Sequence, residues 1–221
     1  MAFVPVITID GPSASGKGTV AQRVAAALGF HYLDSGALYR LTALAAERRG
    51  LLWRDELAIA QLAGDLDVVF DGAAILLEGG NVTEAIRSES VGIGASIVAA
   101  LPAVRTALLA RQHAFAEMPG LVADGRDMGS VVFPDARLKV FLTASAQARA
   151  ERRYKQLSAS GERANLAAIT ADLESRDARD RARTVAPLQQ WPDALLLDTT
   201  CMGIDEAVEQ VLRWWKDALS A

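Results

Sequence analysis

Nine residues near the start of the chain, Gly11-Pro12-Ser13-Ala14-Ser15-Gly16-Lys17-Gly18-Thr19, restrict the fold more than any other stretch. They follow a short apolar, β-branched run, Val4-Pro5-Val6-Ile7-Thr8-Ile9, which reads as a strand buried on both faces. Behind them Val20, Val24, Ala27 and Leu28 recur at helical spacing, and Gly29 supplies the stop just past a helix end. Strand, glycine-rich loop and helix in that order form a cradle for a chain of phosphates. Glycines let main-chain N–H groups approach closely, the helix start adds partial positive charge, and Lys17 adds a full one. A loop that served only as a turn would need neither the lysine nor the helix directly behind it.

The remaining pattern repeats this alternation. Residues 30–33 read as a second strand, and Ser35 stands where an N-cap belongs, before a helix through Leu38, Leu41, Leu44 and Ala45 that ends near Gly50. Residues 66–70 and 75–78 look like two short strands around the hairpin signal Asp71-Gly72. Helical patterns run over 84–100, break at Pro102 and continue to Glu117, with Met118-Pro119-Gly120 as a turn. Residues 121–124 and 138–142 are apolar strands. Ser145 can cap an arginine-rich helical stretch, broken around 158–161 and resuming from Asn165 to about Arg183. A last strand at 195–197 precedes an amphipathic helix carrying Val208, Val211, Leu212 and Trp215. The class is α/β: a parallel sheet covered by helices on both faces. We expect one domain, with its core at about 1–34, 120–148 and 184–221. An acceptor-binding region with a small β insertion would span about 35–118, and a lid with arginine-rich helices about 149–183.

Composition removes several classes. Of 221 residues 51% are hydrophobic and 23% charged, enough apolar material for a real core and far from a disordered composition. No run approaches the roughly 20 apolar residues of a membrane span, and the N-terminal residues lack a basic segment leading into an apolar one, so we expect a cytoplasmic protein. The single cysteine, Cys201, suits a reducing compartment. A net charge of −4 argues against a chain that coats nucleic-acid phosphates. The two histidines, His31 and His113, lie in no metal-ligand spacing.

Three further strings carry chemistry: Leu33-Asp34-Ser35-Gly36-Ala37-Leu38-Tyr39-Arg40, Asp124-Gly125-Arg126-Asp127-Met128-Gly129, and the run from Arg176 to Leu188. Arg40 lies a little over one helical turn beyond Ser35, so a phosphate near that helix start could meet both a hydroxyl and a guanidinium; Arg105, near the start of the Pro102 helix, could add a second planar fork. Arg126 and Asp127 sit just past a strand's carboxyl end, where open parallel sheets bind ligands. A carboxylate there can accept from the exocyclic amine of cytosine, whereas uracil presents a carbonyl. Arg176, Asp180 and Arg183 share one helix face, as do Arg149, Arg152 and Arg153. Asp124 ends its strand as a metal-ordering carboxylate would. The loop departs from its commonest form in one respect. Gly18 stands where Ser or Thr usually ligates Mg2+ directly, with Thr19 one step later.

Taken together and in order, these strings closely resemble the bacterial cytidylate kinases, within the nucleoside monophosphate kinases, over nearly the whole chain. The resemblance implies transfer of the γ-phosphoryl of ATP to CMP, and to dCMP, in line and with Mg2+, by a monomer that binds neither nucleic acid nor membrane. It implies ATP contacts along residues 11–19, with Lys17 catalytic. It places the acceptor's phosphate at Arg40 and Arg105, the base at Ser96, Arg105, Arg126 and Asp127, the nucleoside at Arg176 and Asp180 with Asp180 at the ribose hydroxyls, and phosphate again at Arg183, with Ser35 and Tyr39 among the substrate contacts. Arg149, Arg152 and Arg153 resemble the mobile lid that closes over the transferring group, with Arg152 and Arg153 assigned to catalysis, and Asp124 would hold the metal through water. UMP or another nucleoside monophosphate is the alternative acceptor. A GTPase switch would need an Asn-Lys-x-Asp string, and none occurs. A kinase of a hydroxyl acceptor would need a proton acceptor. Gly92-Ile93-Gly94 lacks both the third glycine and the preceding strand of a dinucleotide fingerprint.

Overall fold

The protein is described by a computed structural model covering residues 4–71, 74–159 and 164–220. Chain order is β1 (Val6–Asp10), α1 (Lys17–Leu28), β2 (His31–Asp34), α2 (Ser35–Arg48), α3 (Glu56–Gly64), β3 (Val68–Asp71), β4 (Ala74–Leu77) and β5 (Gly80–Asn81). There follow α4 (Glu89–Val98), α5 (Pro102–His113), β6 (Leu121–Gly125), β7 (Leu138–Thr143), α6 (Ala146–Ala159), α7 (Leu166–Arg181), β8 (Leu195–Asp198) and α8 (Ile204–Ser220). The chain forms two compact units, Met1–Leu33 with Phe115–Ala221, and Asp34–Ala114.

The first unit is built on a five-stranded sheet in the order β2-β6-β1-β7-β8, in which β1 runs parallel to β6 and β7, and β7 parallel to β8. Every residue of β1 and β6 is buried, which is why both read as continuous apolar runs rather than alternating ones. Ile7, Ile9, Val122, Val140, Leu142 and Leu197 form a face covered by Val20, Val24, Val208, Val211 and Trp215 of α1 and α8. Trp215 meets Phe30 edge-on, with ring centroids 5.8 Å apart. Each fully buried Ile, Leu or Val in this layer contributes about 1.5–3 kcal/mol. A π-helical segment, Met128–Val132, packs on β1 after β6. The fold class is α/β, a parallel sheet flanked by helices.

The second unit packs α2 against α4 and α3 against α5, beside a three-stranded antiparallel sheet β3-β4-β5. Two of its elements, α3 and β5, are absent from the sequence reading. Register pairs Asp71 with Ala74; Gly72 of the expected hairpin turn lies outside the described residues. No single helix among the described residues is long and apolar enough to cross a membrane.

Several expected boundaries move. Asp34, not Ser35, caps α2, its carboxylate accepting from the Ala37 N–H at 3.0 Å; Ser35 is the first helical residue. An aspartate in extended conformation can reach a first-turn amide from one residue earlier. The expected helix over 84–100 is instead a short 3-10 turn, Ala85–Arg87, then α4 capped by Ser88. Helix α5 stops at His113 and α7 at Arg181, so Arg183 lies beyond the helix on which it was expected. Helix α6 runs to Ala159; the rest of the expected break, at 160–161, lies outside the described residues. Ser145 does cap α6, accepting from the Ala148 N–H at 3.2 Å.

Candidate active site

The glycine-rich loop is shaped by close approach. A Cβ on Gly11 would fall 2.0 Å from the Leu142 carbonyl oxygen, and Gly16 has φ +93°, a left-handed conformation that L side chains disfavour. No side chain caps α1. Its first-turn N–H groups therefore face the loop with their partial positive charge uncompensated by a cap, beside buried Lys17, whose Nζ donates to the Pro12 carbonyl at 3.3 Å. Thr19 points to the exposed side of the helix.

Distant side chains hold the loop. All three polar groups of Ser13 are engaged: its N–H donates to Asp177 Oδ1 at 3.3 Å, its carbonyl accepts from Arg149 Nη1 at 3.0 Å, and its hydroxyl accepts from Arg126 Nη2 at 2.8 Å. Arg149 and Asp177 are themselves a buried ion pair at 2.6 Å. The Ser15 carbonyl accepts from Arg152 Nη1 at 2.9 Å and from Thr199 Oγ1 at 3.4 Å. Arg152 also donates to Thr199 at both its hydroxyl and its carbonyl. Arg152 thus braces the loop's main chain, while Arg153 donates to Gln156 Oε1 at 2.9 Å on its own helix.

The carboxyl end of β6 lies alongside. Asp124, 3% exposed, accepts from the Tyr32 hydroxyl at 2.7 Å. A Cβ on Gly18 would stand 3.2 Å from Asp124 Oδ2 and 3.5 Å from the Tyr32 hydroxyl, so any larger residue after the lysine would crowd the carboxylate and require it to shift by a few tenths of an ångström. Arg126 Nε donates to Asp180 Oδ2 at 2.8 Å, and Arg183 pairs with the other oxygen of Asp180. Burial would raise the Asp180 carboxyl, but Arg126 and Arg183 together hold it below the usual carboxylate range. Burial likewise opposes the charge on Arg126, and Asp180 outweighs it, so the guanidinium is held more firmly protonated than usual. Arg176, lowered by burial and by Arg126, lies 3.6 Å from Asp172. Asp127 is 2% exposed at the start of the π-helical segment.

The second unit carries the remaining candidates. Ser35, Tyr39 and Arg40 lie on α2, Ser96 on α4 and Arg105 on α5; all but Arg40 are buried. Arg105 is stacked over the Tyr39 ring, 5.9 Å from its centroid, and donates to the Ala99 carbonyl at 3.4 Å. Arg40 donates to the Ile86 carbonyl at 2.7 Å. Sequence reasoning missed Asp10, Tyr32, Asp177 and Thr199. Only Asp177 left a trace, in the Arg-Asp-x-Arg-Asp repeat that contains it.

A phosphate cradle with a buried lysine, carboxylates at two strand ends and a network of arginines around them can bind anionic substrates and stabilise a phosphoryl group in transit. Comparison with known proteins narrows this. Residues 7–217 match the cytidylate kinase family model. A cytidylate kinase of Chromobacterium violaceum is 66% identical, over 97% of this chain and 96% of that protein. Another, from Stutzerimonas stutzeri, is 60% identical over 95% and 94%. Among solved structures, an uncharacterized protein from Eubacterium ventriosum shares the fold at 11% identity, with a TM-score of 0.51 over 95% of this chain and 97% of that one. Loop, strand-end carboxylates and arginine strings thus stand in a chain that matches its relatives from end to end, and the protein belongs to the cytidylate kinase family.

Proposed function

We propose that this chain transfers the γ-phosphoryl group of ATP to CMP, giving ADP and CDP, and that it accepts dCMP as well. The observation that carries the reading is the position of Arg126, whose guanidinium bonds Ser13 of the phosphate loop and Asp180 on α7 at 2.8 Å each. One side chain thereby ties the donor's cradle to the residues assigned to the acceptor nucleoside.

In the reaction the bond from the γ-phosphorus to the ADP oxygen breaks as one forms to a CMP phosphate oxygen. That oxygen is already anionic near neutral pH, so no base has to remove a proton. What the chain supplies is alignment and positive charge where the transition state spreads its negative charge. Lys17 and the amides at the start of α1 hold the donor's phosphates. Arg40 and Arg105 hold the acceptor's phosphate, with Ser35 and Tyr39 among the contacts. Asp127 accepts from the cytosine amine, with Ser96 and Arg126 also at the base, Arg176 and Asp180 serve the nucleoside, and Arg183 serves phosphate. Arg152 and Arg153 add positive charge from α6, where closure would keep water from the γ-phosphate.

Magnesium belongs to this reading. Among the described residues no three His, Cys, Asp or Glu side chains gather into a metal cluster. The single carboxylate Asp124, set against the first turn of α1, fits an ion held mainly by phosphates and by water that Asp124 orders. When bound, the ion neutralises charge on the phosphates. We place the enzyme in the cytoplasm, as a monomer acting on free nucleotides.

The test is a set of initial rates with ATP, magnesium and, in turn, CMP, dCMP, UMP, shikimate or no acceptor. CDP formation with CMP fastest is the expected result. Purified protein that makes no CDP would overturn the proposal.

A further inference from the structure

Asp10 ends β1 one residue before the phosphate loop and is 8% exposed. Its two carboxyl oxygens accept from successive main-chain amides, the Met128 N–H at 2.8 Å and the Gly129 N–H at 2.9 Å. The residue immediately before that pair is Asp127. From the other side, the Val131 and Val132 N–H groups donate to the Asp127 carbonyl at 2.9 and 3.2 Å. The segment is also pressed onto β1, since a Cβ on Gly129 would come 2.6 Å from Thr8 Oγ1. A two-point clamp on consecutive amides leaves the peptide little freedom to rotate, and the ionised carboxylate, both of whose oxygens only accept, suits two N–H donors better than any neutral side chain.

Burying this carboxyl is unfavourable. Burial pushes it up to about 7, against the pull of the Gly129 and Met128 amides and of Lys17, while Asp127 adds to the rise. A group held at such cost, with both oxygens spent on main chain, makes sense as a fixture.

We infer that Asp10 is a positioning residue for base selection: it fixes the Met128–Gly129 main chain and so sets the Asp127 carboxylate, without touching the nucleotide. The inference rests on the reading of Asp127 as the acceptor for the cytosine amine. It adds a link from the strand that enters the phosphate loop to the residue that tells cytosine from uracil.

Asp10→Asn keeps the shape but turns one acceptor into a donor that faces an N–H. Initial rates with CMP and with UMP at saturating ATP and at about pH 8.5, where Asp10 is ionised, together with hydrogen exchange at the Met128 and Gly129 amides, test it beside Asp127→Ala. Asp10→Asn should lower the CMP-to-UMP ratio of kcat/KM about tenfold or more, speed exchange of both amides, and leave the KM for ATP within about threefold. An unchanged ratio, or unchanged exchange, overturns the inference. If the ratio survives in Asp127→Ala too, the reading of Asp127 has failed; if only Asp10→Asn keeps it, the inference alone fails. Should Asp10→Asn not fold, Gly129→Ala lifts the same amides off Asp10. It should show the same loss, relieved by adding Thr8→Ala, and a Gly129→Ala enzyme with the wild-type ratio overturns the inference.

Discussion

Helices α1 and α2 both begin at sites assigned to phosphates, yet they begin in opposite ways. The start of α2 is closed locally, by Asp34 bonding the Ala37 amide. The start of α1 has no side-chain cap, and the loop before it is held by residues far along the chain: Arg126, Arg149, Arg152, Asp177 and Thr199. The difference divides the labour. An open helix start can give its amides to a ligand, but the loop must then be shaped by something other than its own neighbours. A start already carrying a carboxylate cannot lend its dipole to an anion in the same way. Under the proposed assignment, the acceptor's phosphate at α2 would rely on side chains, chiefly Arg40 and the Arg105 stacked on Tyr39.

The sharpest way to break this contrast is to cut the distant support of α1. Arg149→Met or Asp177→Asn alone leaves an uncompensated buried group and should lower stability by about 3–5 kcal/mol, roughly 10 °C or more in melting temperature. The double variant Arg149→Met/Asp177→Leu should recover much of it. Single variants that melt with the wild type would show the pair to be dispensable. Next comes Lys17→Ala, expected to cut kcat about 100- to 1,000-fold with the melting temperature unchanged; parallel kinetics and calorimetry decide it.

The approach to α1 also has a pH signature. Because Asp10 is raised to about 7, between about pH 4 and 7 it binds more protons folded than unfolded, so its contribution to stability is full below about pH 4 and declines as pH rises through 7. Lys17 and Asp127 are the charged groups acting on it. Denaturant titrations across that range should show a downward slope of up to about 1.4 kcal/mol per pH unit that Asp10→Asn lacks. An identical slope in both proteins would contradict the assignment.

Gly18→Ser restores the hydroxyl usual at this position, but its Cβ would crowd Asp124, so kcat/KM should fall about tenfold rather than rise. The smallest effect belongs to α2. Asp34→Ala should cost about 1 kcal/mol of stability and leave the KM for ATP unchanged, and a change in ATP handling would blur the contrast between the two helix starts.

How far these features could be read in advance follows the same division. The start of α2 was legible to within one residue, because a cap is written beside the helix it serves. The loop before α1 was legible as a phosphate cradle, since strand, glycines, lysine and helix are consecutive. Its anchors were not: Ser13 and Asp177 are 164 positions apart, and nothing in local composition reports such a pairing. Arg152 shows the same limit. Its helical spacing with Arg149 and Arg153 pointed to a shared face, but not to the Ser15 carbonyl on which it rests. Helix α3 is hard to read because its apolar residues, Leu57, Ala58, Ile59, Ala60, Leu62 and Ala63, run around most of the helix rather than along one side, and Leu57 is 80% exposed.

Residues 34–114 leave the first unit from β2 and return to it ahead of β6, and these two strands are neighbours in the sheet. The two strands start side by side, the His31 N–H donating to the Gly120 carbonyl at 2.8 Å, so the excursion leaves from the far end of β2 and returns at the near end of β6, about one strand length away. Closure entropy grows only slowly with the length of such a segment, so its size can vary among relatives at modest cost. Since Ser96 and Arg105, proposed for the base along with Arg126 and Asp127, lie within the excursion, a chimera carrying another relative's excursion would reveal how far base choice is shared between that segment and the residues that follow β6.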